Sequence, residues 1–168
     1  MVFKRKSGFS LIELMVVMVI VGLLMSIVTV NLDYLVPSSR LNAGASSIAS
    51  TIVLAHSQAA ISGTDVIVSY NLDQQLYQII LVKEGKTDPL SISELPPGIK
   101  FKDIIVAGES KKTNGIFQVY ISPLGIVRGH VVHLENRDRQ VMSIEVNPIS
   151  GTVEVLEDYK EMDFIEKS

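Results

Sequence analysis

Hydrophobic positions take three different spacings along this chain, and each predicts a different element. From Leu14 to Val30 there is no formal charge and hardly a polar side chain. With Phe9 as its start the apolar run has about 22 residues, which as a helix reaches roughly 33 Å. That matches a hydrocarbon core of about 30 Å. Asn31 to Ser39 interrupts the run with Asn31, Asp33 and Pro37. Leu41, Ala45, Ile48, Ile52, Ala55 and Ala59 then recur in steps of four and three, the stripe of an amphipathic helix. Ser38 or Ser39 is placed to cap its start, and Gly63 to cap its end.

After Gly63 the period falls to two. Thr64–Tyr70 and Gln75–Val82 flank Asn71-Leu72-Asp73-Gln74 and predict a hairpin. Lys83–Gly98 is polar, contains Pro89, Pro96 and Pro97, and is expected to be a loop. Ile99–Ala107 predicts a weaker strand, and Gly108–Asn114 another loop. Ile116–Ile121, Ile126–Leu134, Arg139–Val146 and Thr152–Leu156 predict four more strands. Turns fall at Pro123-Leu124-Gly125, around Asn136 and at Ser150-Gly151. The expected fold is α+β: a long N-terminal helix, then an antiparallel, sandwich-like β domain packed on a second helix. The tail from Glu157 is acidic and expected to fray.

Composition narrows the function classes. The chain has 168 residues, no cysteine and a formal charge of −3. That excludes a disulfide scaffold and a cysteine zinc module, and argues against a dedicated nucleic-acid binder. Charge is asymmetric at the start: Lys4, Arg5 and Lys6 precede the apolar run with no acid among them. A basic leader of this kind predicts a cytoplasmic N-terminus. A secretory signal peptide would have a shorter apolar region and a small-x-small cleavage site. An uncleaved signal anchor stays open on hydropathy alone.

Glu13 separates these readings. It stands within the apolar run, where a carboxylate costs several kcal/mol unless paired or neutralised. The string Lys6-Ser7-Gly8-Phe9-Ser10-Leu11-Ile12-Glu13, behind a basic leader, resembles the class III signal of type IV prepilins and pseudopilins. The resemblance implies that a prepilin peptidase cuts between Gly8 and Phe9. Phe9 then becomes an N-methylated terminus, and Glu13 meets the Phe9 ammonium of a neighbouring subunit in a filament. It further implies residues 1–8 as leader, 9–36 as membrane and assembly helix, 37–63 as amphipathic helix, 64–156 as periplasmic β domain and 157–168 as tail. Gly22 falls where related helices often carry glycine. Val30 stands where many members have proline.

The body narrows the resemblance. The segment Ala55–Gly63 and the endings Ile121-Ser122-Pro123-Leu124-Gly125 and Ser150-Gly151-Thr152-Val153 are similar to the H-type minor pseudopilins of type II secretion. FimT-type minor pilins share them. His56 stands where that family often has arginine. The implied function is a non-enzymatic subunit near the tip of a periplasmic pseudopilus, helping to export folded proteins. The alternative is a minor type IV pilin in pilus assembly, adhesion, motility or DNA uptake. A signal-anchored periplasmic enzyme or binding domain is a third class. Implied partners are the prepilin peptidase, other major and minor pseudopilins, the inner-membrane assembly platform, secreted cargo or the outer-membrane channel, and membrane lipid before assembly. The implied location is the bacterial inner membrane, single-pass, with the body periplasmic.

Other candidate chemistry is thin. His130 and His133 form H-x-x-H, but residues three apart on a strand face opposite sides, so surface histidines are expected rather than a metal site. Glu154, Glu157, Asp158, Glu161, Asp163 and Glu166 lack the spacing of a calcium loop. No Walker loop, dinucleotide fingerprint or nucleophile elbow is present, and no cofactor is expected. Lys111-Lys112 and Arg137-Asp138-Arg139 are small basic spots that leave DNA contact open.

Overall fold

The computed structural model describes residues 10–28, 32–83 and 86–162. The chain divides into two compact units, 1–36 and 37–168. In the first, α1 spans Leu11–Val28. The Glu13 and Leu14 amides donate to the Ser10 carbonyl at 3.0 and 3.2 Å, so Ser10 stands at the helix start. Glu13 lies in the first turn, where the helix dipole favours an anion. The sequence of α1 is apolar around its whole circumference, as in a helix made to be surrounded by apolar matter. Its 18 residues extend about 27 Å. Among the described residues no helix is long and apolar enough to cross a membrane. Phe9 and Val30, the ends of the predicted run, lie outside the described residues.

The second helix, α2, spans Leu32–Ser62 and begins earlier than the polar interruption suggested. Ser38 and Ser39 are inside it, so neither is its N-cap, because the helical backbone is already established upstream. Pro37 sits in the second turn, where its missing N–H removes one i→i−4 bond without ending the helix. At the other end Gly63 adopts φ +65° and its amide donates to the Ala59 carbonyl at 3.0 Å, the expected C-cap. The stripe Leu41, Ala45, Ile48, Ile52, Ala55 and Ala59 is wholly buried. Its small side chains let the helix lie close: a Cβ on Gly44 would be 3.3 Å from Pro96 Cδ. Ser47 Oγ also reaches Tyr77 OH at 2.7 Å.

Eight strands follow: β1 Val66–Asn71, β2 Leu76–Lys83, β3 Lys86–Glu94, β4 Ile99–Val106, β5 Ile116–Ile121, β6 His130–Asn136, β7 Val141–Val146 and β8 Val153–Glu157. They form two antiparallel sheets, ordered β3-β2-β1-β5 and β4-β6-β7-β8. The β1–β2 hairpin turns where Asn71 Oδ1 accepts the amides of Asp73 and Gln74 at 3.2 and 2.9 Å. The inner faces meet through Tyr70 on β1, which packs edge-on against Phe101 of β4 at 6.1 Å. With α2 they enclose one apolar core. Each large aliphatic side chain removed from water there contributes about 1.5–3 kcal/mol.

Two segments differ from expectation. Residues 86–94 form a strand instead of a loop. Pro89 is tolerated because β3 is an edge, and the register shifts by one residue between Ile79 and Ile80 opposite it. Residues 126–129 precede β6 instead of starting it, and are joined to β5 by the Ile121–Val127 bridge.

A second irregularity matters more. Phe101 pairs with Leu134 and Asp103 with His133, leaving Lys102 as an extra residue on β4. Simple alternation would put Asp103 on the same face as Phe101, in the core. The bulge turns Asp103 out to face His133.

Candidate functional site: the start of the first helix

Ser10 to Leu14 is the described part of the motif. Glu13 is exposed in the single chain, as are Leu11, Ile12, Leu14 and Met15 around it. Leu11 is 77% exposed, although nothing in its chemistry favours water. A carboxylate ringed by such side chains gains a strong interaction only if a cation reaches it once the apolar surface is covered. Lys4, Arg5, Lys6, Gly8 and Phe9 lie outside the described residues. The geometry of Glu13 toward Phe9 is therefore not part of the structure.

The body holds polar clusters that the sequence did not anticipate. His130 and His133 were expected at the surface, yet they are 1% and 0% exposed. They point to opposite faces of β6, as their spacing requires. His130 faces the core, with Nδ1 2.8 Å from the Arg128 carbonyl and Nε2 3.3 Å from Tyr70 OH. Burial pushes its pKa down from 6.5 to about 4, against the pull of the Arg128 carbonyl and with a small push from His56. The folded state thus excludes a proton that the unfolded chain accepts. This contribution to stability is intact above about pH 6.5 and is lost as the pH falls toward 4, by about 3 kcal/mol. Urea unfolding at neutral and mildly acid pH checks this. His130→Gln is expected to show a shallower loss than the wild type, and an equal loss would contradict it.

His133 lies on the outer face. Its Nδ1 is 2.7 Å from Asp103 Oδ1 and its Nε2 2.9 Å from the Lys160 carbonyl. With both nitrogens of both rings engaged, neither histidine offers a lone pair to a metal. Among the described residues no group of three or more His, Asp and Glu is placed to hold one. The segment after Glu157 is not frayed through Met162 as expected. Ser143 Oγ donates to the Asp158 carbonyl at 2.6 Å, and Lys160 Nζ meets Glu145 Oε2 at 2.6 Å.

Ser122 Oγ accepts the Ile126 amide at 3.1 Å, which helps to close the Ser122–Ile126 turn. Lys111 pairs with Asp103 and Lys112 with Glu109, each at 3.0 Å, so this basic spot carries its own counter-charges.

The N-terminal motif and the β domain each match known proteins. Residues 3–29 match the family model of the prokaryotic N-terminal methylation motif. A search of curated proteins finds no match. Among solved structures the chain is similar to the minor pseudopilin EpsH from the type II secretion system of Vibrio cholerae. The TM-score is 0.60 at 16% identity, covering 74% of this chain and 98% of that one. It is similar to E. coli GspH, with a TM-score of 0.53 at 14% identity over 71% of this chain and 89% of that one. It is also similar to the type IV minor pilin FimU of Pseudomonas aeruginosa, with a TM-score of 0.53 at 11% identity over 72% and 90%. The chain thus carries a prokaryotic N-terminal methylation motif at its start and, behind it, a fold similar to that of EpsH, GspH and FimU.

Proposed function

We propose that this chain is a minor pseudopilin of a type II secretion system, a non-enzymatic subunit at or near the tip of a periplasmic pseudopilus. The observation that carries the reading is the union of the methylation motif at residues 3–29 with a GspH-like body. The motif supports processing by a prepilin peptidase between Gly8 and Phe9 and methylation of Phe9. The apolar α1 then serves twice, as an inner-membrane anchor before assembly and as the packing helix of the filament afterwards. The body faces the periplasm. Its neighbours are other pseudopilins and the assembly platform, with cargo or the outer-membrane channel beyond them.

The likeness to FimU favours one second reading, a minor pilin in pilus assembly. Deleting the gene in its own bacterium separates the two. The secretion reading expects folded exoproteins to accumulate in the periplasm while surface pili remain. Loss of pili with normal secretion would transfer the chain to pilus biogenesis.

A further inference from the structure

We propose that Asp158–Lys160 is a proton-dependent strap, closed over the outer face of the second sheet while His133 is an imidazolium and released when that ring loses a proton. The inference rests on hydrogen-bond direction. Both partners of the His133 ring are acceptors. Asp103 Oδ1, 2.7 Å from Nδ1, belongs to a carboxyl held below the usual carboxylate range; burial alone would raise it, but His133 and Lys111 beside it outweigh that. The Lys160 oxygen, 2.9 Å from Nε2, is a backbone carbonyl and can only accept. Neutral imidazole has one N–H and can satisfy only one of them. The closed geometry therefore needs the ring to donate twice. Losing that proton would leave a buried acceptor and a ring lone pair face to face.

Further contacts hold the strap beside the ring. Tyr159 stacks on the His133 ring at 4.0 Å with a 16° tilt. Its hydroxyl accepts from Lys111 Nζ at 2.8 Å and lies 3.4 Å from Asp103 Oδ1. Ser143, directly opposite His133 in the register, donates to the Asp158 carbonyl and accepts the Lys160 amide at 3.0 Å. Asp103, Tyr159 and Lys160 touch the ring, and the charged groups around them are Lys102 on β4 with its partner Glu135 on β6, Lys111 in the loop after β4, and Glu145 on β7. Asp103 is the carboxylate in direct contact with it.

Opening has a surface to change. Glu157, Asp158 and Tyr159 form one wall of a groove of about 890 Å³, with Ser39, Asn42 and Ala43 of α2 on the other side. A released strap removes that wall and uncovers Ser143 and His133.

The test is NMR on the full chain in detergent micelles, with ¹⁵N-labelled histidine and backbone. The His133 ring is expected to carry two N–H protons wherever the Lys160 amide is protected from exchange. As the ring goes from two N–H protons to one on raising the pH, protection at Lys160 corrected for intrinsic exchange falls about tenfold per pH unit. The Leu95 amide, bonded to the Gln75 carbonyl in the other sheet, keeps its protection. In His133→Gln, which cannot titrate, Lys160 protection becomes independent of pH. A singly protonated ring under a protected Lys160 amide overturns the proposal. So does unchanged protection while the ring titrates. Both readings come from the wild type, so they decide the matter even if the variant does not fold.

Discussion

Replacing Gly8 by valine is expected to leave the leader in place, with cleavage slowed by at least about 100-fold. The argument is steric. A glycine brings the backbone close to catalytic groups with no Cβ in the way and adopts conformations a β-branched residue resists. Peptide-bond cleavage needs the carbonyl within a few tenths of an ångström of its attack geometry, so a small displacement is costly. Lys4, Arg5 and Lys6 would hold the leader at the cytoplasmic face in variant and wild type alike. The variant should therefore insert normally and accumulate as precursor. An immunoblot resolving the two forms reads this directly, and equal amounts of mature chain would remove Gly8 from the processing site.

Glu13→Ala is expected to do the opposite: normal cleavage, and failure to enter a filament. Among the described residues the α1 surface around Glu13 is apolar and exposed, and in a filament it would be covered by neighbours. Under that cover an ammonium at Phe9 needs a counter-charge. Removing one partner of a buried pair costs about 3–5 kcal/mol. At 1.4 kcal/mol per decade this is roughly two to three and a half orders of magnitude in subunit affinity. Glu13→Gln keeps the shape and a hydrogen-bonding group but loses the charge, so it should fail nearly as badly. Crosslinking of the variant to other pseudopilins, with processing checked on the same sample, measures the effect. Wild-type crosslinking by both variants would dismiss the charge pairing.

Much of the fold was legible because it follows from periodicity. Every position of the α2 stripe is buried, since a step of four and three leaves little freedom in how a helix meets a core. The β1–β2 hairpin was legible from Asn71 and the alternation around it. The edge strand β3 was not, because its exposed polar residues and Pro89 carry no inward pattern, and only its pairing with β2 reveals it. The helical start at Leu32 was hidden for a similar reason: Asp33 and Pro37 are local breakers that the surrounding helix overrides.

The polar clusters were hidden more deeply. Asp103 reaches His133 only because of the bulge at Lys102, and alternation would have buried it against Phe101. Nothing in an acidic tail announces that Tyr159 will stack on a histidine in the middle of a strand. Two signals were available in retrospect. Tyr159 is an aromatic in a charged segment, and His133 lies in a run of Val131, Val132 and Leu134 that predicts burial on both faces. The N-terminal motif was legible for the opposite reason. Its meaning lies in the order of residue types along the chain, without any need of tertiary contact.

The central claim is that this chain is processed as a prepilin, and mass spectrometry of the protein purified from its own membranes tests it most directly. The account predicts an intact mass lacking residues 1–8 and carrying one methyl group, with an N-terminal peptide beginning at N-methylated Phe9. A chain that still begins at Met1 would contradict it and leave an uncleaved signal anchor in its place.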